Sequence, residues 1–296
     1  MTLVDREQVA ARLLRSSAKL SYDPETDLDW DQELDPTLFA IPEQRVSLYG
    51  TRLWEGMSHE QRVQLSWHEF ASTASVGLWF EIILMQGLLR YAYDQDPHTK
   101  HIQYCLTEIG DETRHSVMFA RAAQKLAPGS RYRPPRITHE LGRLYKTVSV
   151  GPSLFASVLV AEETLDRLQR EAMETPGLLP FAQQVCRIHV TEEARHVAYA
   201  RTAVERQVPK LSKRQLAWHR TQTLVTSVFV VESFRDPAVY TAVGLDKDEA
   251  VRQARANPHA RETRRWMAER VTGFLGDAGM IAGPTSALWR RAGLVA

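Results

Sequence analysis

Shifted by 81 residues, the sequence lands on itself at its most unusual positions: Glu81 on Glu162, Cys105 on Cys186, Glu112 on Glu193 and His115 on His196. Each half holds a lone Glu followed 31 residues later by Glu-x-x-His, as Glu112-Thr113-Arg114-His115 and then Glu193-Ala194-Arg195-His196. Residues three apart share one face of a helix, so carboxylate and imidazole project together. Two such pairs plus two single Glu form the donor set of a four-helix bundle that holds two metal ions. A single Glu-x-x-His is weak evidence, as short motifs are. The matched spacing carries the argument.

Rise per residue tests that arrangement. A first long helix is expected after Ser58, an N-cap with Gln61 three residues on, running to about Tyr93. Asp96-Pro97 then reads as the N-cap and first residue of a second helix, which stops before Pro128-Gly129. At ~1.5 Å per residue, Glu81 lies about 18 Å below the top of its helix and Glu112 about 22 Å below the start of the next. A third helix, about 152–173, and a fourth, about 179–208, repeat this with arms of about 20 Å. Antiparallel hairpins would therefore bring all four Glu into one layer. A fifth helix follows the cap candidate Ser212 and runs to about Phe234, and two shorter helical stretches are expected beyond it. An amphipathic stretch from Val4 to Leu20 and an irregular Pro/Asp-rich segment precede the bundle, and a short helix is expected near Thr138. No alternating strand pattern occurs. The expected fold is all-α: one domain over 1–296, with the metal-binding bundle at about 59–208, an N-terminal arm over 1–58 and C-terminal helices over 209–296.

Context separates the candidate ligands from surface charges. Glu81 sits in Val76-Gly77-Leu78-Trp79-Phe80-Glu81-Ile82-Ile83-Leu84-Met85. A carboxylate buried there needs a counter-cation, because burying an unpaired charge is costly. Glu162 shares a helical stripe with Phe155, Val158, Leu159 and Leu165, whereas Glu163 points towards Arg167 and Arg170. Glu162 is therefore the expected ligand and Glu163 a solvated partner. The second motif extends back to His189, four residues before Glu193 and on the same stripe. Its counterpart at the 81-residue offset is Glu108, so the two metal positions should differ. The expected ligands are Glu81, Glu112, His115, Glu162, His189, Glu193 and His196. Four carboxylates and three neutral imidazoles balance two divalent ions, and this donor mixture suits iron or manganese.

Composition narrows the partners. The 37 basic and 36 acidic residues leave a net charge of +1 with no long basic run, so nucleic acid and anionic membranes are not expected. The most apolar stretch, Val76–Leu89, is short and carries Glu81, so no membrane span is expected. Met1–Arg15 lacks a signal-peptide core, and two cysteines suit a reducing cytoplasm.

With these motifs in hand, the chain resembles the p-aminobenzoate N-oxygenase family of non-haem di-iron proteins. The resemblance rests on Glu81, Glu112-x-x-His115, Glu162 and His189-x-x-x-Glu193-x-x-His196. His189 takes the place of the family's third histidine, which generic ferritin-like sequences lack. The resemblance implies a ferritin-like bundle whose two iron ions activate dioxygen and oxidise an arylamine nitrogen to hydroxylamine and on towards nitroso or nitro. It also implies an electron-donating reductase or ferredoxin and a homodimer. Oxidation at carbon, ferroxidase or iron-storage activity, generation of a radical for a larger subunit, and a purely structural metal are the competing readings.

Other residues are assigned to the scaffold. Cys105 and Cys186 read as small buried packing residues. Asp166 is open between orienting a ligand imidazole and pairing with Arg170, and Glu108 between packing beside the ligands and a relay or ligand role. Tyr91, Tyr93, Tyr104 and Tyr199 read as core. The histidines outside the motifs read as surface or core-edge residues, and the aromatic cluster at Trp79 as bundle core.

Overall fold

The longest helix begins where a Ser-x-x-Gln capping box predicts: the Ser58 side chain accepts from Gln61 N and the Gln61 side chain closes back on the cap backbone. The computed structural model describes residues 5–295, so the expected start of the N-terminal stretch at Val4 lies outside the described residues. The arm contains α1 (Arg6–Lys19), α2 (Pro24–Asp27) and α3 (Arg52–Gly56). The bundle follows as α4 (His59–Tyr93), α5 (Lys100–Leu126), a connecting α6 (Arg136–Val148), α7 (Pro152–Glu174) and α8 (Pro180–Gln207). Behind it come α9 (Lys213–Ser233), α10 (Ala238–Ala242), α11 (Lys247–Ala256), α12 (Pro258–Asp277) and α13 (Ser286–Arg291). No strand occurs among the described residues.

Two boundaries differ from expectation. The second bundle helix starts at Lys100, capped by Thr99, whose hydroxyl accepts from Ile102 N. Asp96 instead closes the preceding turn, accepting from His98 N at 2.9 Å. Beyond α9 the described residues hold four α-helices where two are expected, and α12 is 20 residues long. Its start is an Asn257 cap followed by Pro258 at the first helical position, a signal equivalent to the one misplaced at Asp96-Pro97.

Helices α4 and α5 form one hairpin and α7 and α8 the other, and the hairpins meet through α5 against α8 and α4 against α7. Helix α1 lies across α5 and α8, α6 and α10 cover α4, and α9 and α12 cover α7. By length and composition alone α4 could cross a membrane. The stretch Val76–Leu89 is its second half, and here α4 packs among neighbouring helices with Glu81 buried.

The core is split. One apolar cluster includes Phe70, Ala74, Met118, Phe119, Phe181 and Val185, and another includes Leu84, Leu88, Tyr104, Phe155, Leu159 and Tyr199. Along α5 and α8 the candidate ligands fall between these clusters, whereas Glu81 and Glu162 are flanked on both sides by the second, by Val76 and Leu84 on α4 and by Leu159 and Leu165 on α7. The buried charged layer is thus surrounded by apolar side chains of both clusters.

Candidate metal centre

The seven predicted side chains converge in that layer. Glu81, Glu112, His115, Glu162, His189, Glu193 and His196 are all buried, none more than 3% exposed. His115 Nδ1 lies 3.1 Å from Glu112 Oε2 and 3.3 Å from Glu193 Oε1. His196 Nδ1 lies 2.9 Å from Glu112 Oε1 and 3.0 Å from Glu193 Oε1. His189 Nε2 faces Glu81 and Glu193, both at 3.5 Å, and Glu162 at 4.0 Å. Glu112 and Glu193 therefore lie centrally, each within reach of both motif imidazoles, while Glu81 and Glu162 flank them.

The groups that hold the imidazoles lie outside the expected set. His115 Nε2 meets Glu192 Oε2 at 2.8 Å, and His196 Nε2 meets Asp111 Oδ2 at 3.2 Å. A proton held on Nε2 of each ring by these acids would leave Nδ1, which faces the layer, free to ligate a cation. His189 is oriented the opposite way. Its Nδ1 bonds the Gln169 amide oxygen at 2.7 Å, leaving Nε2 for the three carboxylates. Asp111 and Glu192 stand 81 residues apart, so the repeat itself marks them. Sequence reasoning misses them because each directly precedes a ligand Glu and so faces another side of its helix.

The arm completes this outer ring. Glu192 Oε1 accepts from Tyr22 N at 3.0 Å and Ser21 Oγ at 3.2 Å. Arg114 pairs with Asp111 and donates to the Tyr22 carbonyl at 3.1 Å, and Arg195 donates to the Leu20 carbonyl at 3.1 Å. The segment 20–22 thus locks the acids that orient the imidazoles.

The protonation pattern without metal shows how strained the layer is. Burial, then the charges of neighbouring Glu112, Glu162 and Glu193, holds the Glu81 carboxyl well above the usual range. Burial and the same crowding raise Glu162. Burial would also raise Glu193, but the charge of His196 and hydrogen bonds from His115 and His196 hold it well below the usual range. His189 is pushed down to about 4 by burial, so it stays neutral. Glu81 Oε2, Glu193 Oε2 and His189 Nε2 have no hydrogen-bond partner. Buried polar atoms left unpaired are rare and costly. Ligand atoms of Glu112, His115 and Glu193, and of Glu162, His189 and Glu193, lie within 4.8 Å of one another. These residues fit a pair of divalent cations.

Glu163, His101 and His219 depart from expectation, Asp166 and Glu108 are left open by the sequence, and the two cysteines are buried as expected. Glu163 is buried and pairs with Arg201 of α8, at 2.9 Å from Nε, not with Arg167 or Arg170. Asp166 forms a 2.8 Å bridge to Arg170 and makes no contact with a ligand imidazole. Glu108 is buried with neither oxygen hydrogen-bonded, beside Glu112 and His196. His101, read as peripheral, is buried between Tyr91 and Tyr199, and His219 is buried with Nδ1 2.9 Å from Ser153 Oγ. Trp79 and Phe80 line a cavity. Cys105 and Cys186 are buried free thiols, pushed up to about 12 by burial.

The sequence profile of the family described as p-aminobenzoate N-oxygenase AurF matches residues 4–279. The chain belongs to that family. It is also 30% identical over 225 residues to an uncharacterized protein of Mycobacterium bovis and to uncharacterized proteins of two Mycobacterium tuberculosis strains. Each alignment covers 71% of this chain and 64% of the relative. The family is one of di-iron enzymes with a helical fold, and the carboxylate–imidazole clusters of this member could hold metal.

Proposed function

We propose that the chain is a non-haem di-iron N-oxygenase that uses dioxygen to oxidise the nitrogen of an arylamine. The observation that carries this reading is the convergence of Glu81, Glu112, His115, Glu162, His189, Glu193 and His196 in one dry layer of a family member. Glu112 and Glu193 would hold metal together with His115 and His196, since each lies within 3.3 Å of both. Bound iron would supply the redox change and Lewis acidity that dioxygen reduction needs.

The remaining contributions are the protein's. Asp111 and Glu192 hold two imidazoles in the ligating tautomer, and Gln169 holds the third. His189 would add a neutral donor beside Glu81, Glu162 and Glu193, with no histidine at its 81-residue counterpart, so the two halves would not hold metal alike. The apolar side chains around the layer limit its access to water, which strengthens electrostatic interactions inside. Insertion of one oxygen atom converts ArNH2, O2, two electrons and two protons into ArNHOH and water. The electrons would come from a reductase or ferredoxin, and further rounds would lead to nitroso or nitro products.

The test is to load the protein with ferrous iron, supply a chemical reductant and 18O2, and follow a panel of arylamines by mass spectrometry. Label appearing in hydroxylamine, nitroso or nitro products supports the reading. Label appearing on ring carbon indicates a hydroxylase, and consumption of excess iron with no labelled amine indicates a ferroxidase.

A further inference from the structure

Two cavities flank the carboxylate–imidazole layer, and they differ in chemistry. The larger, about 370 Å³, lies between α4, α6, α7 and α9 and has Glu162 in its wall. That is more than twice the ~150 Å³ that suffices for benzene. Its walls include Trp79 and Phe80 of α4, Leu141 of α6, Val158 of α7 and Phe229 of α9. Among its lining residues there is no Lys, Arg, His or Asp, and Glu162 is the one carboxylate. Its other polar groups are largely engaged within the protein. The Tyr145 hydroxyl donates to the Ser153 carbonyl, and the Gln222 amide oxygen accepts from Ser153 Oγ. Exposed Leu144, Val148, Trp218 and Val225 also belong to this lining.

The smaller cavity, about 230 Å³, contains arginines but none of the seven candidate ligands. Gln169, in its wall, bonds His189 Nδ1. Three of its guanidiniums already have carboxylate partners: Arg45 with Glu171 at 2.6 Å, Arg264 with Glu232 at 2.6 Å and Arg235 with Glu69 at 3.1 Å.

We propose that the larger cavity is the substrate site and that it takes an uncharged, apolar arylamine, an aniline carrying alkyl or aryl substituents and no ionic group. This rests on the N-oxygenase reading above and narrows it. An apolar ring and substituents would replace water along the walls, and the amine, the ligand's one polar end, would meet the Glu162 side of the layer. An amino acid such as p-aminobenzoate has no counter-cation in this cavity. Burying its carboxylate there unpaired, or beside Glu162, is strongly unfavourable.

Calorimetric titration of the metal-free protein near neutral pH with 4-butylaniline and with p-aminobenzoate tests the proposal. The neutral amine is expected to bind at least about tenfold more tightly. Val158→Phe, which fills the cavity, should weaken it at least about tenfold, and Arg264→Ala, in the other cavity, should leave it unchanged. Thr226→Arg places a cation in the wall at a half-exposed position and should shift the preference towards p-aminobenzoate. This variant tests the cavity independently if Val158→Phe fails to fold, judged by helical circular dichroism. Equal or tighter binding of p-aminobenzoate by the parent protein overturns the proposal, as does loss of amine binding in Arg264→Ala alone. Preferred binding of the neutral amine without any N-oxygenated product from iron-loaded protein supports the cavity assignment and removes the N-oxygenase reading. N-oxygenation of p-aminobenzoate in preference to neutral anilines does the reverse.

Discussion

His115 Nε2 lies 2.8 Å from Glu192 Oε2, so an imidazole of the first hairpin is oriented by a carboxylate of the second. The reciprocal contact joins His196 to Asp111. Arg114 and Arg195 stand at the same 81-residue offset and brace these acids, Arg114 on Asp111 and Arg195 on Glu192 at 3.3 Å. The repeat therefore encodes a crossed site. Neither hairpin can set its own motif imidazole without the other, which ties metal binding to correct association of the two halves.

Glu192→Gln keeps the shape of the partner but removes its charge, so His115 becomes a weaker donor. Loss of such a supporting carboxylate typically lowers metal affinity by about 10- to 100-fold. Asp111→Asn should do the same through His196. Competition for ferrous iron against a chromophoric chelator measures the effect, with circular dichroism confirming that the helices persist. Unchanged affinity in both variants would mean that the crossed contacts do not tune the ligands.

Gln169→Leu isolates the third imidazole. The amide oxygen of Gln169 is the partner of His189 Nδ1, and the substitution leaves a buried N–H unsatisfied. Such a loss costs about 1–3 kcal/mol, read as a lower urea midpoint of the metal-free protein. A midpoint equal to that of the parent would show that water or another acceptor replaces the amide.

Six of the seven ligand candidates are legible in the sequence because identity and spacing repeat at an offset of 81, and His189 because it lies four residues before Glu193 on the same stripe. The same is true of helix starts built from local chemistry, as at Ser58–Gln61 and Ser212–Gln215. What depends on a different helix is not legible there. Spacing matches Glu163 to Arg167 and Arg170 because they share its helix, whereas its partner Arg201 comes from α8. The role of Asp111 and Glu192 appears only when the hairpins face each other. The grip of residues 20–22 runs partly through backbone atoms, which carry no residue-type signal. The larger cavity depends on how α6 and α9 lean on α4 and α7, a matter of packing that periodicity does not contain.

His101 gives the metal-free protein a pH dependence. It is buried, with Nε2 2.8 Å from the Tyr91 hydroxyl and 3.2 Å from that of Tyr199. Burial, with the positive charges of Arg6 and Arg206, pushes its pKa down to about 4. The unfolded chain binds this proton at about 6.5. Between those values the unfolded state holds more protons, so stability rises with pH through this window. The contribution is complete above the upper value and lost as pH falls towards about 4. His101→Gln removes the titration, so the variant should lose less of its urea midpoint than the parent between neutral pH and about pH 5. An equal loss would assign the acid sensitivity to other groups.

Two glycines separate a rigid neighbour from a yielding one. A methyl group at Gly142 of α6 would stand 2.5 Å from Trp79 Cζ2, 2.7 Å from its Cη2 and 2.8 Å from Ile83 Cδ1. At Gly87 of α4 the close neighbour is Leu154 Cδ1, at 2.7 Å, the end of a flexible side chain. Both substitutions to Ala gain roughly 0.5–1 kcal/mol from helix propensity. For Gly87→Ala that gain should offset a rotation of Leu154 and leave stability nearly unchanged. Gly142→Ala meets the indole ring of Trp79 and the end of Ile83 at once, and overpacking of this kind costs about 1–3 kcal/mol. It should therefore lower the urea midpoint and shift Trp79 fluorescence, since Trp79 lines the larger cavity. If both variants match the parent, α6 stands farther from α4 in solution, and the cavity wall that they form together is looser than this packing implies.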